Sequence, residues 1–189
     1  MATYDVRAAS AEAAASALRR LVVDVPDHPE PGVVFKDIVP LLADPDGLAA
    51  VVAALADAGR DEHGAVVVDK VVGMEARGFI LGAPVALALG VGFVPVRKAG
   101  KLPRATHAVS YALEYGAETL EVHQDSLAPG ERVLLVDDVL ATGGTAAATR
   151  DLVAACGASA VGLAVLMELS FLPGRAAVGD VPITSVVVV

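Results

Sequence analysis

The chain has 189 residues, 55% of them hydrophobic and 4% aromatic, with no tryptophan and a formal net charge of −9. That length suits one domain of ordinary size, and an apolar fraction rich in Ala, Val and Leu excludes an intrinsically disordered chain. The acidic balance argues against a nucleic-acid or anionic-membrane surface, which depends on many basic groups, so any phosphate site must be local. Cys156 is the only cysteine. It excludes an intramolecular disulfide and a multi-cysteine metal site, and reads as a small buried apolar residue.

The alanine-rich start lacks the basic beginning and compact apolar stretch of a signal peptide, being punctuated by Asp5, Arg7, Glu12, Arg19 and Arg20. A cytoplasmic location is therefore expected. A leading helix is expected over Ser10 to Val22, with Leu18, Leu21 and Val22 on one face. Pro26, Pro29 and Pro31 make Asp24 to Pro31 an extended connector, and Gly32 to Ile38 returns to strand-like composition. Asp44 to Asp46 offers caps for a helix over Leu48 to Ala58, ending at Gly59.

Two βαβ units follow. The first runs from a β-rich stretch, Ala65 to Val72, through a helix at Phe79 to Leu89, to a strand at Gly92 to Val96. The second runs from Val133 to Val136, through a helix at Thr145 to Ala155, to a strand at Ala160 to Met167. Short apolar strands alternating with helices specify a mainly parallel sheet in a three-layer α/β fold. The uncharged stretches Ile80 to Val96 and Leu152 to Met167 fall short of the roughly 20 residues that span a bilayer, and glycines or prolines interrupt both. Between the units, Arg97 to Gln124 is polar and reads as a mobile excursion with edge strands. Pro182 to Val189 is β-branched and reads as a late strand.

The most informative segment is Val133-Leu134-Leu135-Val136-Asp137-Asp138-Val139-Leu140-Ala141-Thr142-Gly143-Gly144-Thr145. In an open α/β sheet, ligands bind where strands deliver their carboxyl ends. Here that end carries two carboxylates and a glycine-containing turn into a helix. Backbone N–H groups of Ala141 to Thr145 can cradle a phosphate in the field of the helix N-terminus. Gly143 and Gly144 allow close backbone approach, and Thr142 and Thr145 can add hydroxyl donors. Asp137 and Asp138 are acceptors suited to vicinal ribose hydroxyls. Taken alone, an acidic pair after a strand more often serves as a cap or turn. The string is neither a Walker loop, having no Gly-Lys-Ser/Thr, nor a G-x-G-x-x-G fingerprint. Gly73 to Gly78 has Walker spacing but continues with Phe79 and fails the same test.

The segment at 133 to 145 resembles the phosphoribosyl-pyrophosphate motif of type I phosphoribosyltransferases. The resemblance extends from about Pro26 to Pro182. Four further segments are similar to the adenine-specific members: Pro31 to Ile38, Gly73 to Phe79, Arg97 to Pro103 and Tyr111 to Gly116. It implies a single phosphoribosyltransferase domain over 1–189, whose first 40 or so residues form a helix and a base-binding hood. It also implies a flexible catalytic loop within the polar excursion and a homodimer.

Residue by residue, the resemblance assigns Asp137 and Asp138 to the ribose hydroxyls and Ala141, Thr142, Gly143, Gly144 and Thr145 to the 5-phosphate. Glu75, Ala76 and Arg77 form a pyrophosphate loop, with a cis peptide joining Glu75 and Ala76. Arg97, Lys98 and Lys101 are cations that reach pyrophosphate, in some members across the dimer interface. Glu114 corresponds to the catalytic loop glutamate that meets adenine N7, where a carboxylate can accept or relay the base proton. Val34, Phe35 and Lys36 line the base pocket: an aromatic ring stacks on the purine while backbone at Val34 reads its edge. From composition alone Phe35 reads as a core residue. The family usually has Arg where this chain has Lys36, and the two are not interchangeable.

The implied reaction joins adenine to ribose 5-phosphate by displacing pyrophosphate at the anomeric carbon. Mg²⁺ arrives largely on the substrate phosphates, since no His or Cys metal cage is evident. A 6-oxopurine, guanine or orotate enzyme shares the phosphate motif, and the segments Gly32 to Ile38 and Tyr111 to Gly116 are what favour adenine. A noncatalytic phosphoribosyl-pyrophosphate sensor would need a DNA-reading domain or a basic surface, and the sequence shows neither.

Overall fold

The computed structural model describes residues 2–112 and 116–189, with side chains from residue 8 onward. A helix, Ala2–Leu21 (α1), precedes an antiparallel hairpin of Val23–Pro26 (β1) and Val34–Asp37 (β2), then helices Val39–Ala43 (α2) and Pro45–Asp57 (α3). Next come Lys70–Met74 (β3), helix Arg77–Leu89 (α4), Gly92–Lys98 (β4), Thr106–Ala112 (β5) and Ala117–His123 (β6). Arg132–Leu140 (β7), helix Gly144–Ala155 (α5), Ser159–Glu168 (β8), the short helix Gly174–Val178 (α6) and Ile183–Val188 (β9) complete the order.

Seven strands form one sheet in the order β5-β6-β4-β3-β7-β8-β9. Pairing is parallel from β4 through β9, while β6 joins β4 and β5 antiparallel. The expected mainly parallel three-layer α/β fold is what forms. Strand residues alternate between two cores. Val71, Leu134, Val136, Ala164 and Leu166 pack with α1, α3 and α4, whereas Val72, Met74, Val133, Leu135, Leu163 and Val165 pack with α5. Strands covered on both faces need apolar residues at consecutive positions, and Val133 to Val136 are all fully buried. Each buried side chain removed from water contributes on the order of 1.5–3 kcal/mol.

Local signals set the helix ends. The Asp44 carboxylate accepts from the Gly47 N–H at 2.7 Å and Pro45 opens α3, a side-chain cap beside a residue with no N–H to satisfy. Gly90, at φ 71°, closes α4, a conformation that an L side chain resists.

Several boundaries differ from expectation. The leading helix starts at Ala2 rather than Ser10. The proline-rich connector is partly a strand: Pro26 ends β1 opposite Val34, where its missing N–H breaks no interior ladder. Ala65 to Asp69 precede β3; Val66 makes only an isolated bridge to Arg60, and the first ladder residue is Lys70. The two uncharged stretches are helix-to-strand segments, α4 into β4 and α5 into β8. No helix among the described residues is long and apolar enough to cross a membrane.

Candidate active site

Strands β3 and β7 are parallel neighbours near the middle of the sheet, yet α4 and α5 pack on opposite faces. The chain therefore leaves their carboxyl ends in diverging directions, and a crevice opens between them. It contains two adjoining hollows. The smaller, ≈ 80 Å³, is ringed by residues 139–146 over Met74, Leu163 and Val165. The larger, ≈ 370 Å³, lies between Val33 to Lys36 of the hairpin, Glu75 to Arg77, the Asp137–Asp138 pair and Leu169. Asp137, Val139, Ala141 and Thr145 line both.

The turn between β7 and α5 ends at Gly143, which caps α5 at φ 82° with no side-chain cap. Expectation gave both glycines to phosphate approach, but the space beside each is filled by protein. A Cβ at Gly143 would stand 2.5 Å from the Gly174 carbonyl oxygen and 2.8 Å from Ala177 Cβ, and one at Gly144 would meet the Tyr111 ring at 2.8 Å. These glycines allow α6 and β5 to close on the turn. The Tyr111 hydroxyl also lies 3.0 Å from Thr145 Oγ1.

The acidic pair is under electrostatic load. Asp138 is buried, and its Oδ2 receives no aligned hydrogen bond. Arg77 Nε stands 2.9 Å away as an ion-pair partner whose N–H is directed elsewhere. Asp137 Oδ1 accepts the Asp138 N–H at 2.9 Å. Loss of solvent pushes the Asp137 carboxyl well above the usual carboxylate range, and the charge of Asp138 pushes it further. Hydroxyl donors or a cation arriving here would relieve both effects.

Across the crevice the Glu75–Ala76 peptide is cis. The Glu75 carboxylate accepts from Lys101 Nζ, from the Lys98 N–H at 2.8 Å and from Arg97 Nε at 3.3 Å. Burial alone would raise its pKa; the bonds from Lys101, Lys98 and Arg97 outweigh that and hold it at about 2. Glu75 thus gathers Arg97 and Lys101 beside Ala76 and Arg77. The Lys98 ammonium is not gathered with them, because it pairs with Glu118 at 2.6 Å.

Residues 41–177 match the family model for the phosphoribosyl transferase domain. The adenine phosphoribosyltransferase of Nocardioides sp. is 75% identical over 169 residues, covering 89% of this chain and 91% of the relative. The solved adenine phosphoribosyltransferase of Thermoanaerobacter pseudethanolicus is 42% identical, with a TM-score of 0.86 over 93% of this chain and 99% of that one. That of Saccharomyces cerevisiae, complexed with an imino-altritol bisphosphate and adenine, is 37% identical, with a TM-score of 0.88 and the same two coverages. The chain belongs to the adenine phosphoribosyltransferase family. Its members are enzymes of the type I phosphoribosyltransferase fold, and the matched residues begin at 41, just downstream of the β1–β2 hairpin.

Against this adenine phosphoribosyltransferase frame, two expectations about the hairpin change. Phe35 is not a core residue: it is part-exposed in the crevice, with the Arg77 guanidinium 5.1 Å from its ring centroid and His28 edge-on at 5.1 Å. Lys36 lines the crevice, but its ammonium is held by the Asp24 carboxylate at 2.7 and 2.8 Å. The hairpin register, Asp24 opposite Lys36, sets this pair. Glu114 lies outside the described residues. Sequence reasoning assigned no role to Leu169 or Tyr111. Leu169 directly follows β8, so the rule that places ligands beyond the carboxyl ends of parallel strands was the signal for it.

Proposed function

We propose that this chain transfers the 5-phosphoribosyl group of phosphoribosyl pyrophosphate to N9 of adenine, releasing AMP and pyrophosphate. One observation carries the reading. A single crevice brings the buried acidic pair and the 141–145 turn together with the aromatic face of Phe35 and the Glu75–Arg77 segment. In this reading the 5-phosphate sits against N–H groups of Ala141 to Thr145 and the hydroxyls of Thr142 and Thr145. Ribose hydroxyls donate to Asp137 and Asp138. Pyrophosphate meets Arg77 and the Arg97–Lys101 pair held by Glu75, while Lys98 supports that cluster through its backbone N–H to Glu75 and keeps its ammonium on Glu118. Adenine stacks on Phe35 while backbone at Val34 reads its edge, and Lys36 acts from the hairpin through its bond to Asp24.

No protein nucleophile is required. N9 attacks the anomeric carbon as the bond to pyrophosphate breaks, and the cations stabilise charge developing on the leaving group. Glu114 accepts the adenine proton as the new bond forms. The oxygen-rich acidic pair, with one carboxylate oxygen lacking an aligned donor, fits Mg²⁺ brought in with the substrate. When bound, Mg²⁺ supplies Lewis-acid stabilisation of pyrophosphate and ribose oxygens.

The reaction is one of purine salvage, and we assign it to a cytoplasmic homodimer. Support for a dimer comes from α4, whose outer side leaves Ile80 and Leu87 49% and 82% exposed, an apolar stripe of the kind that a second copy covers. Incubation with phosphoribosyl pyrophosphate, Mg²⁺ and separate samples of adenine, hypoxanthine, guanine and orotate tests the assignment. AMP and pyrophosphate should appear in equal amounts, with kcat/KM for adenine at least about 10²-fold above every other base. Faster turnover of another base would overturn it.

A further inference from the structure

Glu168 is a buried charge that no step above uses. It ends β8, is 5% exposed, and lines neither hollow of the crevice. Its carboxylate is nonetheless fully engaged. Arg175 donates from Nε to Oε1 at 2.5 Å and from Nη2 to Oε2 at 2.7 Å, and Ser185 Oγ donates to Oε2 at 2.7 Å. The hydrogen bonds from Arg175 hold the Glu168 pKa below the usual carboxylate range against the effect of burial, so the planar, two-pronged pair is charged at neutral pH.

Arg175 is the second residue of α6, and α6 is the element packed on the 141–145 turn. Backbone meets backbone there: a Cβ on Gly143 would lie 2.5 Å from the Gly174 oxygen, and a Cβ on Gly174 would lie 2.5 Å from the Ala141 oxygen. The far end of α6 is tied to α5 by Arg150 Nη1, which donates to the Val178 oxygen at 2.6 Å. A five-residue helix has little stability of its own. Its position therefore depends on its anchors: Val178, fully buried in the core beside α5, holds its far end together with Arg150, and the Glu168 grip from β8 holds the end that touches the turn.

We propose that Glu168 is a positioning residue for the phosphate turn: by gripping Arg175 it seats α6 against Ala141 and Gly143 and fixes the turn in its anion-binding shape. This inference rests on the reading that residues 141–145 hold the 5-phosphate. Glu168→Gln keeps the side-chain shape and the Ser185 contact but gives up the charged two-pronged grip. Small displacements of a binding turn carry large penalties. The Gln variant should lose about tenfold in affinity for phosphoribosyl pyrophosphate, while kcat at saturation and KM for adenine stay within about twofold.

The decisive experiment titrates ribose 5-phosphate, pyrophosphate and adenine separately into the full chain by calorimetry. Wild type, Glu168→Gln, Arg175→Lys, Arg175→Gln and Thr145→Val are compared. Ribose 5-phosphate binding should weaken about tenfold in Glu168→Gln and Arg175→Gln and recover partly in Arg175→Lys, with pyrophosphate unchanged. If Glu168→Gln does not fold, the Arg175 variants, altered at a half-exposed side chain, give the same comparison. Unchanged ribose 5-phosphate affinity in the Glu168 and Arg175 variants, or equal losses for all three ligands, would overturn the inference. Loss in Thr145→Val alone would overturn only this inference; no loss in any variant would overturn the phosphate assignment with it.

Discussion

Gly143→Ala separates two demands that one glycine meets. At φ 82° an L side chain costs about 1–2 kcal/mol. The added methyl would also sit 2.5 Å from the Gly174 oxygen and 2.8 Å from Ala177 Cβ, and forced overlap of this kind costs about 1–3 kcal/mol. The sum is about 2–5 kcal/mol. Gly130 supplies the control, since it has φ 84° and a methyl there would meet nothing within 4 Å; Gly130→Ala should cost only the first part. For a chain of this length each kcal/mol moves the melting temperature by about 2–4 °C. Gly130→Ala should therefore fall by a few degrees, and Gly143→Ala by roughly 10 °C. Calorimetric melting of both variants, with KM for phosphoribosyl pyrophosphate, checks the reasoning. Equal shifts in the two variants, or an unchanged KM in Gly143→Ala, would refute the claim that backbone contact with α6 shapes the turn.

Asp137→Asn should raise stability at neutral pH while severely weakening use of phosphoribosyl pyrophosphate. Its folded-state pKa is raised, so the native chain binds the extra proton and the contribution of Asp137 to stability falls as pH climbs above the unfolded value of 3.8. Denaturant titrations of both proteins should show the stability of the variant relative to wild type increasing from acid to neutral pH; a constant difference would count against a raised Asp137 pKa. Glu75→Gln should do the reverse. With a folded pKa of about 2 against 4.5, Glu75 contributes stability that is fully present above the unfolded value and lost as pH falls towards 2. That contribution is at most about 3 kcal/mol, less the screening by solvent around Lys101. The gap between wild type and variant should close on acidification, and a constant gap would count against the ion cluster. Glu114→Gln should lower the single-turnover rate roughly 10²-fold with little change in substrate binding; a wild-type chemical step would reject the proton-transfer role.

Much of the scaffold was legible because parallel strands buried on both faces must be written as unbroken apolar runs, and Val133 to Val136 and Leu163 to Met167 are such runs. The errors arose where composition and pairing part company. Ala65 to Val68 have strand-forming residues but few neighbours to pair with, whereas Lys70 enters the ladder despite its charge because Glu131 receives its ammonium at 2.8 Å. Helix α6 spans five residues, too few for periodicity to register. In the site, residue types were readable and directions were not. Both Phe35 and Lys36 line the crevice, but that the Lys36 ammonium is taken by Asp24 depends on the hairpin register, a relation between segments that neither segment encodes alone. The same holds for Gly143, whose neighbour is contributed by α6, beyond the next helix and strand.

The β1–β2 hairpin shares no ladder with the seven-stranded sheet. Its backbone hydrogen bonds can open without disturbing β3 or β7, so amide exchange over Val23–Pro26 and Val34–Asp37 should outrun exchange over Val133 to Val136 by orders of magnitude. In the proposed reading, the stacking surface for the base and the turn for the 5-phosphate stand on separately paired parts of the molecule. Substitutions in the hairpin can therefore alter the Phe35 side of the crevice while the sheet that carries the 141–145 turn keeps its pairing.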